Sequence, residues 1–405
     1  MNSRRKFLTF TGIFFGTTLV GCGGEGETSV ALPTEATLPT IDIAPTSASA
    51  APSMVPPLDT WRMPDEADKH SRTWMAFGPS AAIWGKKLLP EVQRNLARIA
   101  RAIANYEPVS MLVREEELAI AKELMGDADV TLITAPLDDL WMRDTGPVFV
   151  QGTAGGKGAI GFNFNGWGDK QAHTQDAKVA EFVATNAQAQ FIPTTLVLEG
   201  GGIEVDGRGT AIITESCVLN DNRNPGVSKA DCEAELKRLL GLTKIIWLPG
   251  IAGKDITDGH TDFYARFAKP GTVVAGYDPD PQSFDHAVTL QHLDILRAAT
   301  DAEGRAFEVV VIEGPSTIRE DFATNDFAAG YINFYVCNGA VIAPEFGDAK
   351  ADAAAKETLQ TLFPEREIVQ LNIDGIAAGG GGIHCTTQQE PLGQNQVLLS
   401  YIVRV

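Results

Sequence analysis

Apolar residues in the middle of the chain follow two alternating periods. The segment Pro90–Asn105 carries apolar residues at spacings of four, three and four, namely Val92, Leu96, Ile99 and Ile103. This spacing predicts a helix with the proline in its first turn. Short apolar runs, three to six residues long, lie between such segments and are typical of strands. The pattern therefore predicts an α/β protein.

The order of helix, short strand and Gly-rich polar segment recurs five times, at a period on the order of 60 residues. The other predicted helices are Glu115–Met125, Gln175–Ala187, a segment capped by Ser228 with Asp231 at its third position and ending at Leu240, His286–Ala299, and a segment capped by Asp348 and ending at Leu362. The predicted strands are Val109–Val113, Val130–Ile133, Val148–Val150, Thr195–Leu198, Ile245–Leu248, Phe307–Ile312 and Ile368–Leu371.

Five such units predict a radial array in which the strand ends converge on one axis. The alternative is an open α/β sheet with a similar alternation. No phosphate loop or dinucleotide glycine pattern follows any predicted strand, which weakens the nucleotide-binding version of that alternative.

The first 21 residues are typical of an export signal. Arg4 and Arg5 precede an apolar run over 7–21, a twin-arginine pattern. The run has 15 residues, fewer than the roughly 20 that a spanning helix needs. The residues before Cys22 are Leu-Val-Gly, similar to a bacterial lipobox, and they predict lipid attachment at this cysteine. The alternative is an ordinary signal peptide with an incidental cysteine.

A segment poor in large apolar residues follows, from 22 to 57. Its Gly, Ser, Thr, Ala and Pro residues cannot bury enough surface to fold, so we predict a flexible tether. Large apolar residues begin at Leu58, and a single catalytic domain is predicted over 58–405. These features together predict an exported protein that is anchored at the cell envelope and contacts the membrane only through its lipid.

Charge and cysteine content narrow the classes of partner and site. The chain carries a formal charge of −19, and removal of Arg4, Arg5 and Lys6 with the signal makes it −22. Such a surface repels nucleic acid and anionic lipid and favours a small cationic ligand. A disulfide framework is not needed at this size, and the absence of CxxC and HxxxH spacings argues against a metal site. Cys217, Cys232 and Cys337 lie in helix or strand patterns typical of packing. The oligomeric state stays open.

Candidate chemistry begins with Cys385, which follows the four glycines Gly379–Gly382 after only two residues. Glycines permit unusual backbone conformations and close approach of other groups. The thiolate of this cysteine would be a nucleophile whose activating groups lie elsewhere in the chain. A buried structural cysteine is the alternative.

Acidic and basic residues follow other predicted strands: Asp144, Glu199, His260 and Asp262. A cysteine with a histidine forms a nucleophile and its acid–base partner. Carboxylates beside a thiolate raise its pKa and oppose attack on a neutral carbon, so they fit a cationic substrate such as a guanidinium. His260 and Asp262 are two residues apart, and on a strand they would share one face.

Four long motifs are spread over the chain: WMRDTGP at 141–147, LEGGG at 198–202, DGHTD at 258–262 and GGGIHCTTQQEP at 380–391, with shorter ones at 61–64, 74–77 and 331–335. Together they cover the chain from Trp61 to the C-terminus, and they resemble the agmatine deiminase and bacterial-type peptidylarginine deiminase family. The resemblance implies a five-bladed α/β propeller of the pentein type, built from ββαβ units around a central active site. Gly382, where intracellular agmatine deiminases usually have Asn, and the export signal depart from the family pattern.

The resemblance also implies roles for individual residues. Asp144 and Asp262 would hold the guanidinium, and Cys385 would attack its central carbon. His260 would protonate the departing ammonia and then activate water against a covalent thiouronium. Glu199 would either orient His260 or contact the guanidinium. No metal or organic cofactor is implied.

Three other residues bear on the site. Trp141 and Trp167 are candidates for walls around the alkyl part of the substrate, or for core positions. His384 is excluded because, on a strand, it would face away from the side of Cys385.

The implied activity is agmatine deiminase, which yields N-carbamoylputrescine and ammonia and serves polyamine biosynthesis. Peptidylarginine deiminase is the alternative that an exported location favours. Free arginine is disfavoured because the motifs supply no basic partner for its carboxylate. A non-catalytic lipoprotein that binds guanidino compounds would not need Cys385, and a metal-dependent hydrolase built on His260 and Asp262 is weaker still.

Overall fold

The computed structural model describes residues 60–393. The predicted signal, Cys22 and the tether lie outside the described residues. Among those described, no helix has the length and apolarity to span a bilayer.

Seventeen short strands and ten helices make up the described part. The strands are β1 Trp61–Arg62, β2 His70–Phe77, β3 Val109–Val113, β4 Val130–Thr134, β5 Val148–Gly152, β6 Lys157–Gly161, β7 Gln190–Pro193, β8 Ile203–Val205, β9 Thr210–Thr214, β10 Lys244–Leu248, β11 Ala265–Lys269, β12 Thr272–Tyr277, β13 Glu308–Glu313, β14 Tyr335–Cys337, β15 Ala340–Glu345, β16 Glu367–Asn372 and β17 Thr387–Pro391. The helices are α1 Ala81–Ile103, α2 Leu118–Met125, α3 Met142–Thr145, α4 Gly166–Asp169, α5 Val179–Asn186, α6 Glu215–Val218, α7 Lys229–Leu240, α8 His286–Ala298, α9 Ala349–Leu362 and α10 Asp374–Ala377. Short 3-10 turns occupy Glu115–Glu117, Asp176–Lys178, Gly200–Gly202, Thr261–Phe263 and His384–Thr386.

The strands form five separate sheets that repeat one plan. In each, a first strand runs antiparallel to a second, and a third strand, reached through a helix, runs parallel to the second; β11, β12 and β13 around α8 are an example. This is a ββαβ unit. The first strands of neighbouring units pack side by side, β17 beside β5 and β8 beside β11. The predicted five-bladed α/β propeller is confirmed.

One blade is assembled from distant parts of the chain. Its first strand, β17, pairs antiparallel with β2, and β2 then runs parallel to β3. The sheet therefore joins the first and last parts of the described chain. This blade is closed by the hydrogen bonds between β17 and β2 and not by a loop.

Local sequence explains where two of the long helices begin. Ser228 accepts a hydrogen bond from the Asp231 amide at the start of α7, and Asp348 accepts one from the Ala351 amide at the start of α9, as the capping pattern predicts. The prediction that the first helix begins at Pro90 is wrong, because α1 begins after Ser80. Gly85, at φ +67°, interrupts it, so the proline lies about one turn after that break.

The predicted strand Thr195–Leu198 is also wrong, since the strand of that unit is β7. The apolar side chains of Leu196 and Leu198 are buried, but their backbone is irregular. The Asn224 side chain bonds both the amide and the carbonyl of Val197, so the segment satisfies its backbone without a neighbouring strand.

Candidate active site

The candidate site residues lie in the short turns that precede the first strand of each unit. Asp144 is in α3 before β5, and Glu199 caps the turn before β8. His260 caps the turn before β11, and Cys385 lies in the turn before β17. The structure brings these turns together at the centre of the blades. The expectation that His260 and Asp262 lie on a strand is wrong, because 261–263 is a 3-10 turn.

The fifth unit contributes Asn333, two residues before β14. Its amide nitrogen lies 3.3 Å from the Cys385 sulfur, and its oxygen accepts a hydrogen bond from the Cys385 amide at 3.3 Å. The asparagine therefore fixes the position of the thiol. A Cβ at Gly382 would overlap the Asn333 amide, so in this chain a side chain at Gly382 would displace the Asn333 amide.

Two other glycines of the run, Gly381 and Gly379, leave room for the rings of two tryptophans. A Cβ at Gly381 would overlap the Trp141 ring, and one at Gly379 would overlap the Trp84 ring. The two rings lie 5.8 Å apart, and both donate to the Asp139 carboxylate. Trp141, predicted as a wall of the substrate site, thus packs directly on the backbone that leads to the nucleophile.

Cys385 is buried, with 4% of its surface exposed. Burial raises the pKa of its thiol well above the ordinary range, and the Asp262 and Asp144 carboxylates raise it further. The nearer of these, Asp262, has Oδ2 at 3.7 Å from the sulfur. In the unliganded site the cysteine is therefore a thiol, and a nearby positive charge would favour the thiolate.

His260 is buried between two carboxylates. Its Nε2 lies 3.1 Å from Glu199, and its Nδ1 lies 3.8 Å from Asp144. Burial lowers the pKa of His260, but these carboxylates outweigh it and hold the pKa well above its ordinary value. The imidazole is therefore cationic at neutral pH and able to donate a proton. Nδ1 has no hydrogen-bond partner in the described part of the chain.

Glu199 is fully buried and is fixed from the other side by Arg223, whose Nε donates to it at 2.7 Å. Burial raises the pKa of Glu199, but the hydrogen bond from His260 and the charge of Arg223 lower it below the usual value. Glu199 is therefore a permanent anion that holds His260 in one orientation.

Asp144 accepts hydrogen bonds from the Trp167 indole at 3.0 Å and from the Gly201 amide at 3.1 Å. Burial raises its pKa to about 6, despite the opposing charge of His260. A Cβ at Gly201 would lie 2.6 Å from His260 Nδ1, so this glycine permits the close approach. Trp167 adopts φ +56°, a conformation rare for aromatic residues, and is thereby aimed at the carboxylate.

Asp262 accepts a hydrogen bond at Oδ2 from His384 Nδ1 at 2.7 Å. Burial raises its pKa, but the hydrogen bond and charge of His384 bring it below the ordinary value. The exclusion of His384 from the site is therefore wrong. It lies in a turn and not on a strand, so strand alternation does not apply.

Glu199, Cys217 and His260 bring three metal-ligating atoms within 4.8 Å of one another. Arg223, however, holds a fixed positive charge 2.7 Å from Glu199, and His260 Nε2 is already bonded to Glu199. Burial also raises the pKa of Cys217 to about 11. The group has the geometry of a hydrogen-bonded acid–base set. The interpretation of Cys217 as packing omitted its contact with Glu199, at 3.5 Å.

All six predicted catalytic and binding residues of the domain lie in or beside this centre, and their chemical roles stay predictions. Sequence reasoning missed Asn333 and Glu66, which contacts His384. Both lie in or next to motifs that were recognised, at 331–335 and 61–64. In the sequence, each appears as a polar residue beside an apolar motif, and this signal is too weak to identify the side chain that it contacts.

Known proteins share this fold and sequence. The profile of the Porphyromonas-type peptidyl-arginine deiminase family matches residues 62–391. A Streptomyces coelicolor protein, provisionally named an agmatine deiminase, is 45% identical over 340 residues, which are 82% of this chain and 99% of that protein. The agmatine deiminase of Pseudomonas aeruginosa strain LESB58 is 35% identical over 362 residues, or 84% and 98% of the two chains.

A solved structure gives the same result. It is described as the agmatine deiminase of Enterococcus faecalis catalysing its reaction, and it superposes with a TM-score of 0.77 at 32% identity. The match covers 82% of this chain and 96% of that one.

Proposed function

Because the chain belongs to the Porphyromonas-type peptidyl-arginine deiminase family, we propose that it is an agmatine deiminase. It hydrolyses the guanidino group of agmatine to N-carbamoylputrescine and ammonia, a step of polyamine synthesis. The observation that carries this proposal is a buried thiol, Cys385, that faces the carboxylates of Asp144 and Asp262. That arrangement disfavours a neutral substrate and suits a cationic one.

Substrate binding comes from the two aspartates. A guanidinium is planar and presents parallel N–H pairs that match carboxylates. Oδ1 of Asp262 is buried and has no hydrogen-bond partner among residues 60–393, so it is available to such a ligand. The bound cation offsets the two negative charges that oppose the thiolate. The thiol of Cys385 then loses its proton to solvent, and the substrate itself activates the nucleophile.

The thiolate attacks the central guanidinium carbon and forms a tetrahedral adduct. His260, protonated in the resting site, donates its proton to the departing nitrogen, which leaves as ammonia. A cationic thiouronium on Cys385 remains. The now neutral imidazole takes a proton from water, and the hydroxide attacks the same carbon. Collapse of that adduct breaks the C–S bond, and the hydroxyl proton of the adduct passes to the departing sulfur. This step restores the resting thiol beside a protonated His260 and leaves N-carbamoylputrescine.

Burial supports a small substrate over a peptide. Cys385 is 4% exposed, and the rings of Trp84, Trp141 and Trp167 belong to the same apolar cluster. A small ligand with a slender alkyl chain, such as agmatine, needs less opening of this buried site than a peptide backbone does.

The test is ammonia release from agmatine, free arginine and a peptide with an internal arginine, measured side by side with the purified protein. We expect turnover of agmatine to exceed that of the other two by a wide margin. Preferential turnover of the peptide would replace agmatine deiminase by peptidylarginine deiminase. Absence of ammonia from all three would overturn the proposal.

For location, we propose export by the twin-arginine route and lipid attachment at Cys22. The Arg-Arg pair, the short apolar run and the lipobox-like residues support this. At −22 the mature chain is repelled by anionic headgroups, so lipid must do the anchoring. Cys22→Ala should move active enzyme into the soluble fraction. Intact mass without lipid on the wild-type protein would refute the assignment.

A further inference from the structure

His384 lies between two carboxylates, next in sequence to the nucleophile. Its Nδ1 is 2.7 Å from Oδ2 of Asp262, and its Nε2 is 2.8 Å from Oε2 of Glu66. All three side chains are buried. The deiminase mechanism above uses only Asp262, and neither of the other two has a role in it.

The hydrogen-bond pattern fixes the charge of this histidine. Ionised carboxylates accept hydrogen bonds and cannot donate them, and a neutral imidazole has a single N–H. Since both ring nitrogens of His384 face carboxylate oxygens, both must carry hydrogen. The imidazole is then a cation with both donors in use.

Glu66 holds the far side of the imidazole in place. Oε1 of its carboxylate accepts from Arg266 at 2.8 Å and from the Val336 amide at 2.8 Å. Oε2 accepts from Arg143 at 3.0 Å as well as from His384. These four donors come from four different blades, so Glu66 ties His384 to the centre of the whole fold.

The consequence falls on Asp262. The hydrogen bond from His384 uses Oδ2 and prevents rotation of the carboxylate, which leaves Oδ1 without a partner among the described residues. The adjacent positive charge also keeps the carboxylate ionised. Both effects prepare one oxygen to receive a guanidinium.

We propose that His384, held by Glu66, is a positioning residue that fixes the orientation and the charge of Asp262 for guanidinium binding. This inference rests on the proposed function for its substrate and adds two residues that act through Asp262 without touching substrate. The charged groups around Asp262 and His384 are the cations His260, Arg143 and Arg266 and the anions Asp144, Glu66 and Glu204.

The test compares His384→Asn with the wild-type enzyme. Asparagine keeps an N–H near the position of Nδ1 but has no charge and cannot reach Glu66. We expect kcat/KM for agmatine to fall about 10- to 100-fold, by analogy with the loss of a hydrogen-bond partner behind a metal-ligating side chain. The loss in kcat/KM should grow as the pH falls, because Asp262 of the variant then becomes protonated together with Asp144. The acid limb of the plot of log kcat/KM against pH should therefore steepen from one decade per pH unit toward two.

A second readout does not depend on turnover. Cys385 is alkylated by 2-chloroacetamidine, which carries a cationic amidinium, and by neutral iodoacetamide, and the ratio of the two rates reports the charge at Asp262. In His384→Asn the ratio should fall about tenfold for each unit by which the pKa of Asp262 rises above the assay pH. His292→Asn is the matched control, since His292 is an equally buried histidine that bonds the Gly250 amide.

An unchanged alkylation ratio in folded His384→Asn, with an acid limb of unchanged slope, would overturn the proposal. His384→Gln, whose amide reaches toward Glu66, provides a second variant. If both variants lose their cooperative melting transition, His384 is only a structural residue, and the proposal fails in that case too. Failure of the proposed function is seen separately, as wild-type protein that does not deiminate agmatine while the alkylation ratio still responds to His384.

Discussion

Asp144 and Asp262 are the same residue type, both are buried, at 5% and 0% exposure, and they face the same thiol, yet their environments differ. Asp144 bonds neutral donors, the Trp167 indole and the Gly201 amide, and burial raises its pKa to about 6. Asp262 bonds the imidazole of His384, and its pKa lies below the ordinary value.

The comparison shows that the partner, and not the depth of burial, decides the charge of a carboxylate in this site. Asp144 has only neutral hydrogen-bond donors, and the His260 cation at 3.8 Å does not offset its desolvation beside two further anions. At Asp262 a hydrogen-bonded imidazole, together with the charges of His260 and Arg266, does offset it. The site therefore contains one permanent negative charge and one that titrates near neutral pH. A cationic substrate stabilises both.

The largest effect should come from removing the group that both carboxylates face. Cys385→Ala should lower turnover by more than about 10³-fold, as loss of a nucleophile does, with the fold intact. Steady-state ammonia release and a thermal melt measure this. Cys232→Ala is the control, because it removes an equally buried thiol in α7. Near-normal turnover by Cys385→Ala would exclude covalent catalysis.

Asp262→Asn removes the carboxylate of the pair that is permanently charged. Loss of a buried charged hydrogen bond to the guanidinium should cost on the order of 2–5 kcal/mol in kcat/KM. Calorimetric binding of agmatine to a Cys385→Ser background separates binding from rate. Asp301→Asn, which alters another acid held by a cation, Arg305, should have little effect. Normal binding by Asp262→Asn would remove it from the list of guanidinium ligands.

The pH dependence of kcat/KM tests the role of the other carboxylate, Asp144. Binding needs its ionised form, so wild-type kcat/KM should fall as the pH drops through about 6. Asp144→Asn should be weaker overall and lack this limb. Because the folded pKa exceeds the unfolded value, the folded protein binds more protons between about pH 4 and 6, and the contribution of Asp144 to the free energy of unfolding, measured as the difference between wild type and Asp144→Asn, should decrease as pH rises across that window. A limb that persists in Asp144→Asn would assign it to another group.

Trp167→Phe should give the smallest change. It removes the indole donor to Asp144 and keeps an aromatic ring, so kcat/KM should fall by about 0.5–1.5 kcal/mol. The acid limb should move above about pH 6, since the anion loses a hydrogen bond. Phe164→Leu alters the ring that packs on Trp167 at 5.0 Å and keeps the donor, so its acid limb should not move. Equal shifts in both variants would attribute the effect to packing.

The repeat, most helices and the residues of the site could be predicted from the sequence because they depend on local signals. Apolar spacing located α7 and α9, and capping residues located their first turns. The resemblance then assigned chemistry to polar residues between the apolar runs.

What could not be predicted depends on long-range contacts and on the period of short turns. The alternation of side chains along a strand predicted that His384 faces away from the site. In the structure, a 3-10 turn of three residues places His384 against Asp262. Its other partner, Glu66, is 318 residues away in sequence, and Asn333 is 52 residues from Cys385. No periodicity specifies such pairs.

The pairing of β17 with β2 has a consequence for biosynthesis. β2 is made early, but its antiparallel neighbour is translated only when the ribosome has passed Pro391, and that same late segment carries Cys385. The ring of blades therefore cannot close, and the nucleophilic thiol of Cys385 cannot be present, until nearly the whole domain has been synthesised. A chain that is interrupted earlier has an open sheet edge, which is a template for pairing with other chains. It also has no nucleophile, so an unfinished enzyme cannot act on its substrate.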